Sequence, residues 1–334
     1  MRVLVWIIIV LFVIGADSNP RALGKEAGIL FPGVWLRFTV GPGNDILIHD
    51  RAVPAGSERG RSKAEHGPRA AGGRSVLFAE VRQKMEFREF GSPERRTVVL
   101  LHGGGLSWWN YRDAARLLEA DFRVILPVLD GHAGSGRPFT GIEDNAEELL
   151  GFIDEKLGGS LLLLGGLSLG AQVALEMLSR RAELCRFALI ESASVIPSGL
   201  TGALIGPAFG SSYSLIRIRS FARLQARSLH IRDELFEDYY RDTCAISKAD
   251  LTAFMKASVS YRLNEGFRRC RARIHVYAGG RETGTILRSA RLIAEAAADG
   301  ELHILPGMVH GDFSMNRADE FAAAVRAIAG GARP

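Results

Sequence analysis

Ser168 is the centre of Gly166-Leu167-Ser168-Leu169-Gly170, which follows the apolar run Leu161-Leu-Leu-Leu164 and precedes apolar residues at helical spacing, Val173, Ala174, Met177 and Leu178. A serine hydroxyl becomes a useful nucleophile when it is held in the open, when a base removes its proton and when the resulting oxyanion is stabilised. A Gly-x-Ser-x-Gly turn from strand to helix supplies the first condition. The central residue takes a strained backbone conformation, and the turn closes only if the neighbours two places on either side carry almost no side chain. The helix that follows directs its free N–H groups and positive dipole end toward the charge that develops in acyl transfer. With 38 glycines in 334 residues, one such pentapeptide can arise by chance. Its context decides its meaning.

The context required is a base and an orienting acid later in the chain, in the order Ser, acid, His, each on a loop after a late strand. Gly279-Gly280-Arg281-Glu282 follows a strand-like Ile274-His-Val-Tyr-Ala278, and Pro306-Gly-Met-Val-His310-Gly311 follows Leu302-His-Ile-Leu305. Ser168, Glu282 and His310 therefore fit both order and loop position. Glu191, directly after Phe187-Ala-Leu-Ile190, is the alternative acid, and Glu282 is preferred for its place after the later strand.

The elements that must position these groups alternate along the chain. Strands are predicted at Met85–Gly91, Thr97–Leu101, Arg123–Pro127, Leu161–Leu164, Phe187–Ile190, Ile274–Ala278 and Leu302–Leu305. Helices are predicted at about 111–118, 142–156, 172–181, 286–298 and 318–328. Such alternation implies a mostly parallel sheet covered on both faces. Residues from about 192 to 271 interrupt it with helical patterns, a natural cap over the C-terminal edge of the sheet, where open α/β folds bind ligands.

Residues 85–334 resemble an α/β-hydrolase fold protein of the serine-esterase kind. The motifs that carry the resemblance are Leu101-His-Gly-Gly-Gly105, Asp130-Gly-His-Ala-Gly-Ser-Gly136, the Ser168 turn and the His310 loop. The resemblance implies that Ser168 attacks an acyl carbonyl, His310 relays the proton and Glu282 holds the imidazolium. It also implies that the backbone N–H groups of Leu169 and Gly104 form the oxyanion hole. His102 is expected to shape the oxyanion loop and Asp130 to fix its own loop, while Trp108, Trp109 and Tyr111 are expected either to line an acyl pocket or to fill the core. Asp238-Tyr239-Tyr240 and the run Arg217, Arg219, Arg223, Arg227 read as packing and solvated faces. The expected substrate is a carboxylic ester or related acyl compound. The alternatives are an aminopeptidase or amidase, a C–C bond hydrolase, and a non-catalytic binding module. Serine at position 168 disfavours a haloalkane dehalogenase, whose chemistry needs a carboxylate nucleophile.

Cofactor and metal are expected to be absent: the histidines His102, His132, His275, His303 and His310 are scattered with no His-x-x-x-His pair. Cys185, Cys244 and Cys270 are too few and too far apart for a disulfide framework and read as structural thiols. The net charge of +5 belongs to residues 1–84, which hold 12 Lys and Arg against 7 Asp and Glu; residues 85–334 balance, which argues against a nucleic-acid partner. Val3–Ile14 is an apolar run suited to a signal peptide, with a mediocre cleavage site at Ile14-Gly15-Ala16. Gly41–Arg74 is rich in Gly, Pro, Ala and Arg, and residues 1–84 as a whole are expected to be a largely disordered extension. Two readings follow. Translation from Met85 would give a cytoplasmic protein, and retention of the apolar run a secreted or membrane-anchored one.

Overall fold

The computed structural model describes residues 26–31, 34–40, 46–52, 86–199, 202, 205–206 and 213–330. Two compact units are separable. Ser18–Arg82 form one, and Gln83–Pro334 belong to the other.

In the smaller unit, β1 (Glu26–Phe31), β2 (Val34–Val40) and β3 (Ile46–Ala52) form an antiparallel three-stranded sheet in chain order. Phe31 pairs with Val34, and Val40 with Ile46. This corrects the expectation of a largely disordered segment at residues 26–52. The aromatic and β-branched residues of Val34-Trp-Leu-Arg-Phe-Thr-Val40 favour a strand, but Gly and Pro on either side dilute that signal in any longer window. Val3–Ile14, its cleavage site, residues 53–85 and the alternative start at Met85 lie outside the described residues.

The larger unit is built on β4 (Phe87–Phe90), β5 (Thr97–Leu101), α1 (Arg112–Leu118), β6 (Arg123–Pro127), α2 (Ile142–Leu157), β7 (Leu161–Leu167), α3 (Leu169–Arg180) and β8 (Cys185–Glu191). The helices α4 (Arg219–Ser228), α5 (Phe236–Ala245) and α6 (Lys248–Ser260) come next. The chain ends with β9 (Arg273–Gly279), α7 (Gly284–Ala296), β10 (Gly300–Leu305), α8 (Asp312–Asn316) and α9 (Ala318–Gly330). The sheet order is β10-β9-β8-β7-β5-β6-β4, parallel except for β4, which runs antiparallel to β6 at one edge. This is the mostly parallel, helix-flanked sheet that the alternation of elements predicts, in the α/β-hydrolase architecture that the resemblance implies.

Side-chain alternation along the strands sorts the core into two layers. Val99 and Leu101 of β5 pack with residues of α2, α3 and α7, while Val98 and Leu100 pack with residues of α1 and α9. Helix α2 shows how sequence sets such an element. Ile142, Ala146, Leu149, Leu150 and Ile153 fall on one face and are buried, with Glu143 and Asp144 in the first turn and Lys156 in the last. Gly158, at φ 73°, ends the helix in the left-handed conformation. Each fully buried Leu or Ile on that face contributes about 1.5–3 kcal/mol of transfer free energy, far more than helix propensity does.

Candidate functional site

Ser168 connects β7 to α3 at φ 52° and ψ −112°. Among the described residues only Ser168, Ser192 and His230 take a positive φ without being glycine, a conformation a side chain occupies at a cost the surroundings must offset. The glycines flanking Ser168 make this possible. A Cβ on Gly166 would lie 2.5 Å from the carbonyl oxygen of Gly170, and one on Gly170 would lie 2.2 Å from that of Leu101. The Ser168 N–H donates to the Glu191 carbonyl at 2.9 Å, which ties the bend to β8. Helix α3 has no acidic residue in its first turn, so its positive end is left for an anion.

His310 and Glu282 are brought together from the loops after β10 and β9. His310 Nδ1–H donates to Glu282 Oε2 at 2.8 Å. Glu282 Oε1 accepts from Ser192 Oγ at 2.6 Å and from the Gly279 N–H at 3.0 Å. Burial alone would raise the Glu282 pKa, but the His310 charge and these bonds outweigh it and hold the carboxyl below its ordinary range. For His310 burial opposes the charged form, yet the Glu282 carboxylate prevails and the pKa rises above the ordinary imidazole value. Glu191 does not take this place. It is buried, accepts the Ser314 N–H at 3.3 Å, and is pushed up to about 7 by burial, with repulsion from Glu282 adding to the shift.

The Gly103–Gly105 loop is shaped by two neutral histidines. The Leu129 N–H donates to His102 Nε2 at 3.1 Å, so His102 Nδ1–H faces the Gly103 carbonyl at 2.9 Å. The Gly105 N–H donates to His132 Nε2 at 3.0 Å, and His132 Nδ1–H faces the Asp130 carbonyl at 3.0 Å. Burial lowers both rings, His132 to about 4, so both remain acceptors at neutral pH. The Gly103 N–H is bonded to Asn110 Oδ1 at 3.2 Å. Both neighbours of Gly104 thus have their amides committed, and Gly104 itself lines the cavity. His132 and Asn110 are functional supports that the sequence analysis missed; the Asp130–Gly136 motif was the signal, but nothing in it says that its histidine reaches back to Gly105.

Ser168, His310, Gly104 and Leu169 line one cavity of about 60 Å³. Its remaining wall is mostly apolar: Leu106 and Leu167 from the sheet side, Leu229 and Ile231 after α4, Phe254 and Met255 of α6, and Met315, with Ser258 of α6 as a further polar side chain. Phe254 also stacks on His132, with ring centroids 4.5 Å apart, so the insertion between β8 and β9 reaches the support of the Gly103–Gly105 loop.

Several candidate lining residues lie elsewhere. Trp109 and Tyr111 are buried in the core, Trp109 Nε1 donating to Asp242 at 2.8 Å, and Trp108 carries the Arg88 guanidinium over its ring. Asp238 pairs with Arg112 and Arg241, Tyr239 is buried, and Tyr240 stacks on Phe236, as a packing face should. Asp130 is bridged by Arg137 at 3.3 Å and fixes its loop, its carboxyl raised by burial to about 6.

The expectation of scattered histidines fails at one place. His275, Glu301 and His303 stand together on β9 and β10, their ligand atoms within 4.8 Å of one another. The parallel register sets Glu301 opposite His275, and His303 two places on shares its face. Sequence spacing cannot show which strands pair. Among the described residues no helix is long and apolar enough to cross a membrane.

The alpha/beta hydrolase family matches residues 98–324. No curated protein matches the sequence significantly. Similar solved structures include a thermophilic esterase from Thermogutta terrifontis, 17% identical, with a TM-score of 0.59 over 72% of this chain and 91% of that one. A hydrolase from Pseudomonas aeruginosa PA01 is 19% identical, with a TM-score of 0.62 over 74% of this chain and 94% of that one. A bromoperoxidase from Bacillus anthracis is 16% identical, with a TM-score of 0.63 over 73% of this chain and 94% of that one. At these identities the likeness concerns the fold.

Proposed function

The chain belongs to the alpha/beta hydrolase family, and within it we propose a serine hydrolase that cleaves carboxylic esters of short, apolar acyl groups through a covalent acyl-enzyme. The observation that carries this reading is the His310–Glu282 bond of 2.8 Å, which orients a His310 that lines the same cavity as Ser168 on its strained bend.

In the proposed reaction Ser168 Oγ attacks the ester carbonyl while His310 Nε2 accepts the hydroxyl proton. Glu282, held ionised, keeps Nδ1 protonated and stabilises the imidazolium that forms. The N–H groups of Gly104 and Leu169 receive the oxyanion, with the α3 dipole aligned behind Leu169. His310 returns its proton to the departing alkoxide. Water, deprotonated in turn by His310, then attacks the acyl carbonyl, releasing the acid and regenerating Ser168.

The acyl preference follows from space and polarity. A cavity of about 60 Å³ with Leu, Ile, Met and Phe walls takes a few carbons and no charge. The test is a p-nitrophenyl ester series of increasing chain length run beside aminoacyl anilides, with a serine-reactive fluorophosphonate as label. Turnover of the shortest esters and labelling lost in Ser168→Ala are expected. A folded wild-type chain that takes no label overturns the proposal, and preference for the anilides moves it to an amidase.

A further inference from the structure

We propose that His275, Glu301 and His303 form a binding site for a divalent cation of the Zn²⁺ class, which fastens the edge strand β10 to β9. The site lies on the faces of these strands, not in the cavity that Ser168 lines.

The geometry carries the inference. His275 Nδ1 and His303 Nε2 face each other at 3.2 Å. Glu301 turns one carboxylate oxygen to each ring, Oε2 to His275 and Oε1 to His303, both at 3.6 Å. Two ligands on a tetrahedral ion with bonds of about 2.1 Å stand about 3.4 Å apart; the two nitrogens already stand close to that separation, and one atom from each of the three residues lies within 4.8 Å of the others. All three also project to one side of the sheet, because Glu301 is registered against His275 and His303 lies two residues along the same strand.

Donor type selects the cation. Two imidazole nitrogens and one carboxylate suit Zn²⁺ and its neighbours in the transition series, whereas Mg²⁺ and Ca²⁺ prefer all-oxygen sites. Glu301 and His303 are partly exposed, so water can supply the fourth ligand. Arg273 Nη2 now lies 3.1 Å from Glu301 Oε2, and the arriving ion takes over that share of the carboxylate while Asp299, 3.8 Å from Arg273 Nε, keeps the guanidinium paired. His275 Nε2 is buried without a partner. A ligating histidine without a second-shell partner typically binds about 10–100-fold more weakly than a supported one, so this is an exchangeable site that chelators strip.

The alternative is a plain histidine–histidine hydrogen bond, and a metal titration separates the two. The full chain, prepared without a polyhistidine tag and stripped with chelator, is titrated with Zn²⁺, and with Co²⁺ for its visible absorption. One ion per chain is expected, with tetrahedral Co²⁺ bands and a rise in Tm at about 100 μM Zn²⁺. His303→Ala and Glu301→Gln are each expected to weaken binding by about tenfold or more; Glu301→Gln keeps the side-chain volume and serves if His303→Ala fails to fold. Absence of Zn²⁺ binding by the wild type overturns the proposal. So does unchanged affinity in Glu301→Gln.

Discussion

Strands β9 and β10 each contribute to two histidine–glutamate arrays of opposite character. On the strands themselves, Glu301 stands 3.6 Å from His275 and from His303 and is shared with Arg273. Burial governs there, lowering His275 to about 4 and His303 below the ordinary value. Beyond the strand ends, Glu282 bonds His310 at 2.8 Å, with no cation between them, and carries two further donors that fix its orientation. The carboxylate governs here, and His310 is raised although burial alone would lower it. The residue types are the same. What differs is whether the carboxylate is reserved for one imidazole, and that decides whether the ring is suited to take a proton or to offer a lone pair.

The sharpest way to break the comparison is to remove the raised imidazole. In the proposed reaction His310 is the base that takes the Ser168 proton, so His310→Ala is expected to lower kcat/KM by about 10⁴-fold or more, measured on the best ester of the series. Retention of a tenth of the activity would show that His310 is not the base.

Glu282→Gln comes next, with a loss of about 10³- to 10⁴-fold, because an amide can present its NH₂ to Nδ1 and fix the wrong tautomer. Stability should change with it in a pH-dependent way. The depressed Glu282 pKa contributes stability above the ordinary glutamate value, and that contribution is lost as pH falls through the folded value. The raised His310 pKa contributes fully below the ordinary imidazole value, and its share is lost as pH rises through the folded value. Both contributions coincide between about pH 4.5 and 6.5. The Tm difference between wild type and Glu282→Gln should therefore be larger at pH 5.5 than at pH 9. A difference that does not vary with pH would place the His310 charge elsewhere.

The arrays were unequally legible in the sequence. Ser168, Glu282 and His310 could be named because each sits at a fixed place in a strand-loop rhythm, and the glycines at 166 and 170 mark a bend whose backbone closeness admits little else. Glu282 was preferred over Glu191 for its place after the later strand, and the path of the chain after Gly279 is what brings its carboxylate to His310. His275 and His303 were hidden because their proximity depends on a parallel register between strands that a helix separates. For Trp109 and Tyr111 the sequence left pocket wall and core open, and the structure places them in the core. Aromatics next to a glycine loop suggest a pocket wall, yet their size draws them into the core, where Trp109 finds an acceptor for its N–H in Asp242. The strands of residues 26–52 were obscured by composition, since short pairing segments flanked by Gly and Pro leave no sustained period.

Histidine titration by NMR sharpens the comparison at smaller amplitude. His275 is expected to titrate near 4 and His303 below the ordinary value, with His310 above it. A His303 that titrates above His310 would reverse the assignment of roles.

The smallest effect concerns Glu191, which touches neither array but acts on one of them. Its carboxylate adds to the upward shift of His310, and its own ionisation, near 7, falls in the range where the base must be neutral. Activity therefore falls on the acid side as His310 protonates, with the midpoint above the ordinary imidazole value. Glu191→Gln keeps the volume and an acceptor for the Ser314 N–H while removing the negative charge. The His310 pKa must then move down, and the acid limb of kcat/KM with it, so that the ratio of activity at pH 6 to that at pH 8 rises. A merely structural role for Glu191 predicts a uniform loss at every pH with the midpoint unmoved. The pH profile therefore separates a charge acting at a distance on the base from a side chain that only fills space.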